Sequence, residues 1–203
     1  MRASELELRI PADCIGGFVE VFGGDYSAPV KITGPVTVLD IGANVGAFAL
    51  WASVQWPQAT IYSYEPHPDL FPLLEHNTKH IDHCKRFNCA VGNPDRTALF
   101  ERDDSRLCCT QFNRGDSTRT VPIAVIKPEV LPLADIVKVD AEGAEWDIIR
   151  ALQFTPRLMI VEWHTDSARS SIDSWATYLG MMLVKSKVSL RHLGISIYAK
   201  EVA

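Results

Sequence analysis

Five short apolar runs, at residues 36–41, 60–65, 86–91, 134–140 and 158–163, recur along the chain with helix-patterned stretches between them. This rhythm limits the possible folds more than any other feature. Strands apolar on successive positions need cover on both faces, and the segments 45–54, 69–80, 144–152 and 167–178 have the length and spacing of helices that could supply it. Such alternation means parallel strands joined by crossover helices. The expected fold is therefore α/β, with a doubly wound, mostly parallel sheet and helices on both faces. The end of the chain breaks the rhythm. Residues 181–187 and 195–200 read as two strands joined by a short loop, an antiparallel hairpin at the sheet edge. A length of 203 residues suits one domain, with residues 1–35 expected as N-terminal extension strands. The polar stretch ERDDSRLCCTQFNRGDSTRT, 101–120, is expected to project as a loop or irregular hairpin over the carboxyl ends of the strands, on the substrate side.

The turn after the first strand, in VLDIGANVGAFAL, narrows the ligand. No Lys or Arg occurs from 32 to 78, and the lysine-bearing phosphate loop is absent. A dinucleotide loop would need glycines at 42, 44 and 47, where this chain has Gly42, Asn44 and Ala47, with Gly46 out of register. Asp40 would repel a pyrophosphate but suits a ligand carrying ammonium and sulfonium charge. Gly42 lets backbone approach a ligand, Asn44 tolerates left-handed dihedrals, and Gly46 leaves room for the next helix to pack. Glu65 closes the second strand about 20 residues after Gly46, where an acid meets ribose hydroxyls in doubly wound folds. Two acids at neighbouring strand ends, one for an amino-acid portion and one for ribose, describe S-adenosylmethionine.

VLDIGANVGAFAL, YEPHP, NCAVGN and above all IVKVDAEGAEW make residues 36–164 resemble the FkbM family of S-adenosylmethionine-dependent O-methyltransferases, of the Rossmann-like class I methyltransferase fold. The resemblance implies a cofactor site built from Asp40, Gly42, Ala43, Asn44, Gly46, Glu65, Pro66 and Asp140, with Asn88, Ala90 and Val91 bordering the adenine. It also suggests that Tyr26 closes the pocket from the N-terminal side.

Methyl transfer asks the protein to align a nucleophile and, for a hydroxyl, to remove its proton. Asp140 and Glu142 close the fourth strand, and Glu162 and His164 share one face at the end of the fifth, so the base is expected among these four. Glu145 and Asp147 read instead as acids favoured at a helix N-terminus. A divalent cation held by the carboxylates at 140, 142 and 162 is an open alternative, with a direct base preferred. His76, His80, His83 and Cys84 invite a zinc reading, but they fall on the outside of the expected fold, where polar side chains need no metal.

A net charge of −5 offers no footprint for a phosphate backbone, so nucleic acid is not the expected partner. The N-terminus lacks the apolar core of a secretory signal, and no apolar run approaches membrane-spanning length. An odd count of five cysteines, two of them adjacent, reads as reduced, unpaired thiols. A cytoplasmic protein acting on a small hydroxylated molecule, a sugar or secondary metabolite, is the leading expectation, with a homo-oligomer left open. The alternatives are methylation of another nucleophile on the same fold and a non-catalytic cofactor-binding partner subunit.

Overall fold

The structure, a computed structural model, describes residues 6–93, 99–101, 120–190 and 192–200. Its main sheet has seven strands: β1 (Thr37–Ile41), β2 (Thr60–Tyr64), β3 (Cys84–Phe87), β8 (Ile136–Val139), β9 (Leu158–Trp163), β10 (Met182–Leu190) and β11 (Leu193–Ala199). They lie in the order β10-β11-β9-β8-β1-β2-β3. The five strands from β9 to β3 run parallel, while β11 pairs antiparallel with β9 and with β10. This is the doubly wound sheet with an antiparallel edge hairpin that the alternation requires. Four short strands form two separate ladders, β4 (Ala90–Val91) with β7 (Val125–Ile126), and β5 (Leu99–Glu101) with β6 (Thr120–Pro122).

Alternate residues of each central strand enter opposite layers. Val38, Ile61, Ile136 and Ile160 pack beneath α1 (Ile15–Phe22) and α2 (Ala47–Gln55), among Val21, Phe48 and Trp51. Leu39, Val137, Met159 and Val161 face the other way, against Ile148 and Ile149 of α4 (Glu145–Ala151) and Ile172 and Ala176 of α5 (Asp166–Tyr178). The remaining helix, α3 (Phe71–Thr78), packs beside α2 and β3. Burial on both faces explains why these strands read as continuous apolar runs rather than as alternating ones.

Three expectations change. Among the described residues, 6–35 form no strand, and α1 occupies 15–22 instead. Phe18 and Val21, three apart, turn toward the core, a helical spacing rather than a period of two. The third apolar run divides into β3 and β4, which belong to different sheets. Cys14 is disulfide-bonded, against the expectation of unpaired thiols, while Cys84 and Cys89 are free. Of the segment 101–120, residues 102–119 lie outside the described residues, but its two ends are paired, Glu101 opposite Thr120 across an antiparallel ladder. Among the described residues no helix is long and apolar enough to cross a membrane.

Candidate active site

A cleft opens at the carboxyl ends of β1, β2 and β8. Gly42 and Asn44 from the turn after β1, Tyr64, Glu65 and Pro66 from the end of β2, and Leu70 line one part of it. Cys89, Ala90 and Val91 give it a mostly apolar part, and Asp140, Ala141 and Glu142 complete the lining.

The turn after β1 takes its shape from backbone needs. Gly42, Asn44 and Gly46 have φ of 75°, 52° and 95°, a region open to glycine and tolerated by asparagine. A side chain at Gly42 is excluded by protein, since a Cβ there would lie 1.8 Å from the Asp140 carbonyl oxygen. Gly46 faces a similar limit, because its Cβ would meet Thr78 and Leu74 of α3 at 2.8 and 3.1 Å. The helix that Gly46 makes room for is thus α3 and not the next helix, α2, as expected. Ala43 is buried, and its N–H donates to the Tyr64 carbonyl.

Glu65 joins two loops. Its Oε2 accepts from the Asn44 N–H and its Oε1 from the His67 N–H, both at 2.7 Å. Burial pushes its carboxyl up to about 7 despite those two donors. Each carboxylate oxygen keeps a further lone pair for a ligand at the cleft. The Asn88 side chain donates to the carbonyls of Glu65 and Pro66, at 2.9 and 3.3 Å, so it braces the loop rather than lining the cleft.

Asp40 lies beneath the cleft floor, fully buried. Parallel register sets Ser63 and Lys138 on either side of it. Ser63 Oγ donates to Oδ2 at 3.3 Å, and Lys138 Nζ stands 3.5 Å from Oδ1. Lys138 also reaches Asp140 Oδ2 at 3.4 Å and donates to the carbonyls of Ile41 and Gly42. Burial pulls this ammonium toward neutrality, but Asp140, Asp40 and Glu162 outweigh it and hold its pKa above the usual lysine value. Lys138 was not foreseen from the sequence. Its signal was a lone charge inside the apolar strand IVKV, beside a strand that carries a lone acid.

Beyond β8 and β9 the acids gather. The turn from Asp140 to Gly143 puts Glu142 at φ 49°, a left-handed conformation that costs a non-glycine residue about 1–3 kcal/mol. Glu142 Oε2 lies 3.3 Å from His164 Nε2, and Glu145 Oε1 lies 2.8 Å from His164 Nδ1. Glu145 is wholly buried, and the same oxygen accepts from the N–H groups of Ala141 and Gly143, at 3.2 and 2.8 Å. This residue thus combines the helix-terminal role expected of it with a grip on His164. Asp147, in the first turn of α4, pairs with Arg150 at 2.9 Å.

Burial pulls the His164 imidazole down, but Glu145, Glu142 and Asp140 outweigh it and raise it to about 9. Burial and then Asp140 push Glu142 up to about 7. Glu162 is pushed to about 8 by burial, Asp140 and Glu20. The Tyr26 hydroxyl donates to Glu162 Oε2 at 3.0 Å while its ring packs on Phe48, so Tyr26 holds an acid of this cluster and does not line the cleft. Among the described residues, Asp140, Glu142 and His164 are the one group of His, Cys, Asp and Glu side chains placed closely enough to share a metal ion. Glu162 is not in that group, nor are His76, His80, His83 and Cys84.

A mostly parallel seven-stranded sheet with a cleft at its carboxyl ends defines a Rossmann-like methyltransferase fold, and solved structures agree. The precorrin-6y C5,15-methyltransferase of Geobacter metallireducens GS-15 superposes with a TM-score of 0.51, over 97% of this chain and 92% of its own, at 14% identity. Aeropyrum pernix fibrillarin, solved with S-adenosyl-L-methionine, gives 0.55 over 89% and 73%, at 12% identity. The methyltransferase FkbM domain matches residues 40–189, and the chain belongs to that family. Among curated relatives, Methyltransferase 1 of Beauveria bassiana (strain ARSEF 2860) is 26% identical over 57% of this chain, and the chain spans only 57% of that protein's length.

Proposed function

We propose that the chain transfers a methyl group from S-adenosylmethionine to a hydroxyl of a small molecule such as a sugar or a secondary metabolite. The observation that carries this reading is the composition of the cleft: a bare-backbone turn at Gly42 and Asn44, an acid at the end of β2, an apolar wall, and a surplus of carboxylates. Glu65, Asp140 and Glu142 line the cleft, and Asp40, Glu145 and Glu162, which do not, stand near the cationic side chains Lys138 and His164. Such a site favours a ligand that brings positive charge, and it disfavours phosphate. Glu65 has lone pairs free for ribose hydroxyls, Leu70, Cys89, Ala90 and Val91 suit an adenine, and Asp140 suits an ammonium.

When bound, the cofactor supplies a methyl carbon already activated by its sulfonium. What remains for the protein is to align the acceptor and manage its proton. Asp140, Glu142, Glu162 and His164 are the groups for that task. Glu142, which lines the cleft and is raised to about 7, changes charge near neutral pH.

Calorimetric titration with S-adenosylmethionine and S-adenosylhomocysteine tests the cofactor. Glu65→Gln removes acceptor capacity from a buried charged site, so affinity should fall by about 10- to 100-fold while the fold is retained. Failure of the wild-type chain to bind either compound would remove the reading. A screen of hydroxylated compounds for release of S-adenosylhomocysteine then tests the acceptor, and turnover confined to amines would move the reaction to nitrogen.

A further inference from the structure

We propose that Asp140, Glu142 and His164 form a divalent-cation site beside the cleft, with Glu145 as the positioning residue behind His164. One donor atom from each of the three lies within 4.8 Å of the others. A six-coordinate ion with bonds of about 2.1 Å sets neighbouring ligand atoms about 3 Å apart and opposite ones about 4.2 Å apart, so the cluster needs little contraction to close on an ion. All three residues are half-buried, which leaves coordination positions open to water or to an acceptor.

Exposed acids gather on many surfaces without a metal, but this cluster is organised from behind. Glu145 is fully buried on α4, and backbone N–H groups of Ala141 and Gly143 fix its Oε1. That oxygen takes His164 Nδ1 at 2.8 Å, which leaves Nε2 turned toward Glu142 at 3.3 Å. A histidine held at one nitrogen by a carboxylate, with the other nitrogen presented to further ligands, is how metal-binding imidazoles are commonly oriented. The other oxygen of Glu145, Oε2, is buried without a hydrogen-bond partner, which leaves this carboxylate short of compensating charge beside the cluster.

The charge around the cluster points the same way. Asp140, Glu142, Glu145 and Glu162 stand against Lys138 and His164, and Lys138 is shared with Asp40. An ion would replace the proton between His164 and Glu142 and add positive charge where carboxylates are in excess. Two carboxylates and one imidazole suit manganese, ferrous iron or magnesium better than a thiophilic metal. The ligand set differs from the three carboxylates that the sequence left open as an alternative, because His164 stands where Glu162 was placed. It also reverses the preference for a direct base. If the methyltransferase reading holds, the fitting acceptor is one whose hydroxyl oxygen, alone or beside a second oxygen, can enter the ion's open positions, where coordination favours its ionised form.

The test uses the purified chain, manganese alone and no methyl donor, with free Mn²⁺ followed by electron paramagnetic resonance. One site per chain with micromolar affinity is expected. Glu142→Gln and His164→Gln should each weaken it at least tenfold, and Glu145→Gln by about 10- to 100-fold, with circular dichroism confirming the fold. Asp82→Asn, at an exposed acid elsewhere, should leave it unchanged. Absence of bound manganese at millimolar metal would overturn the proposal, as would affinity unaltered in both Glu142→Gln and His164→Gln, even if Glu145→Gln fails to fold. Because the methyl donor is absent, failure here leaves the cofactor titration to judge the methyltransferase reading separately.

Discussion

The two halves of the candidate site are built differently. At the ends of β1 and β2, backbone dominates: a turn of left-handed residues, a carboxylate that receives two N–H groups, and walls of small apolar side chains. At the ends of β8 and β9, side chains dominate: Lys138, Asp140, Glu142, Glu145, Glu162 and His164 hold one another. The first half presents backbone and small apolar side chains to the cleft, and the second gathers acids around two cations. They touch where Gly42 meets the Asp140 backbone and where Lys138 bridges Asp40 and Asp140 while donating to the Ile41 and Gly42 carbonyls.

Breaking the bridge should have the largest effect. Lys138→Met leaves Asp40 buried without its cation, and loss of one partner of a buried pair costs about 3–5 kcal/mol. Urea denaturation should show that loss, and adding Asp40→Asn should restore part of it. If Lys138→Met keeps the wild-type midpoint, the two halves are not coupled through this lysine. The contact at Gly42 comes next. Gly42→Ala forces a side chain into the Asp140 carbonyl at positive φ, which should cost about 3 kcal/mol and weaken cofactor binding as well. A variant that loses cofactor affinity at unchanged stability would show that Gly42 serves the ligand alone.

The smallest effect is expected from pH, and it sharpens the contrast in charge. Glu65, Glu142 and Glu162 are raised from the usual 4.5 to about 7, 7 and 8. The folded chain therefore holds more protons than the unfolded one between those values, and stability falls as pH rises through them. His164, raised from 6.5 to about 9, contributes stability that is complete below its unfolded value and lost as pH climbs through the folded one. All four act in one direction, so the melting temperature without ligand should fall by a few degrees between about pH 6 and pH 9. A cationic ligand at the site should flatten that slope. A melting temperature that stays level or rises across the range would mean that the acids are better compensated than their surroundings indicate.

The backbone half of the site was open to reading from the sequence because its requirements are local. Gly42, Asn44 and Gly46 announce left-handed turns by residue type, and Glu65 stands at a fixed interval from them along one βαβ unit. The sheet was legible for the same reason: buried parallel strands are continuous apolar runs, and helices between them can cross over in one hand only. The N-terminal segment misled because α1 spans only 15–22, too short for a helical period to outweigh a strand reading. The side-chain half could not be read this way. Glu145 and His164 are 19 residues apart, Tyr26 and Glu162 are 136 apart, and Lys138 meets Asp40 only because β8 lies beside β1 in register. The sequence by itself determined the central strands of the sheet, its edge hairpin and the left-handed turn after β1. Only the tertiary structure decided which acids lie beneath the cleft, which face it and which hold a histidine in place, because charge pairing depends on distances across strands and not along the chain.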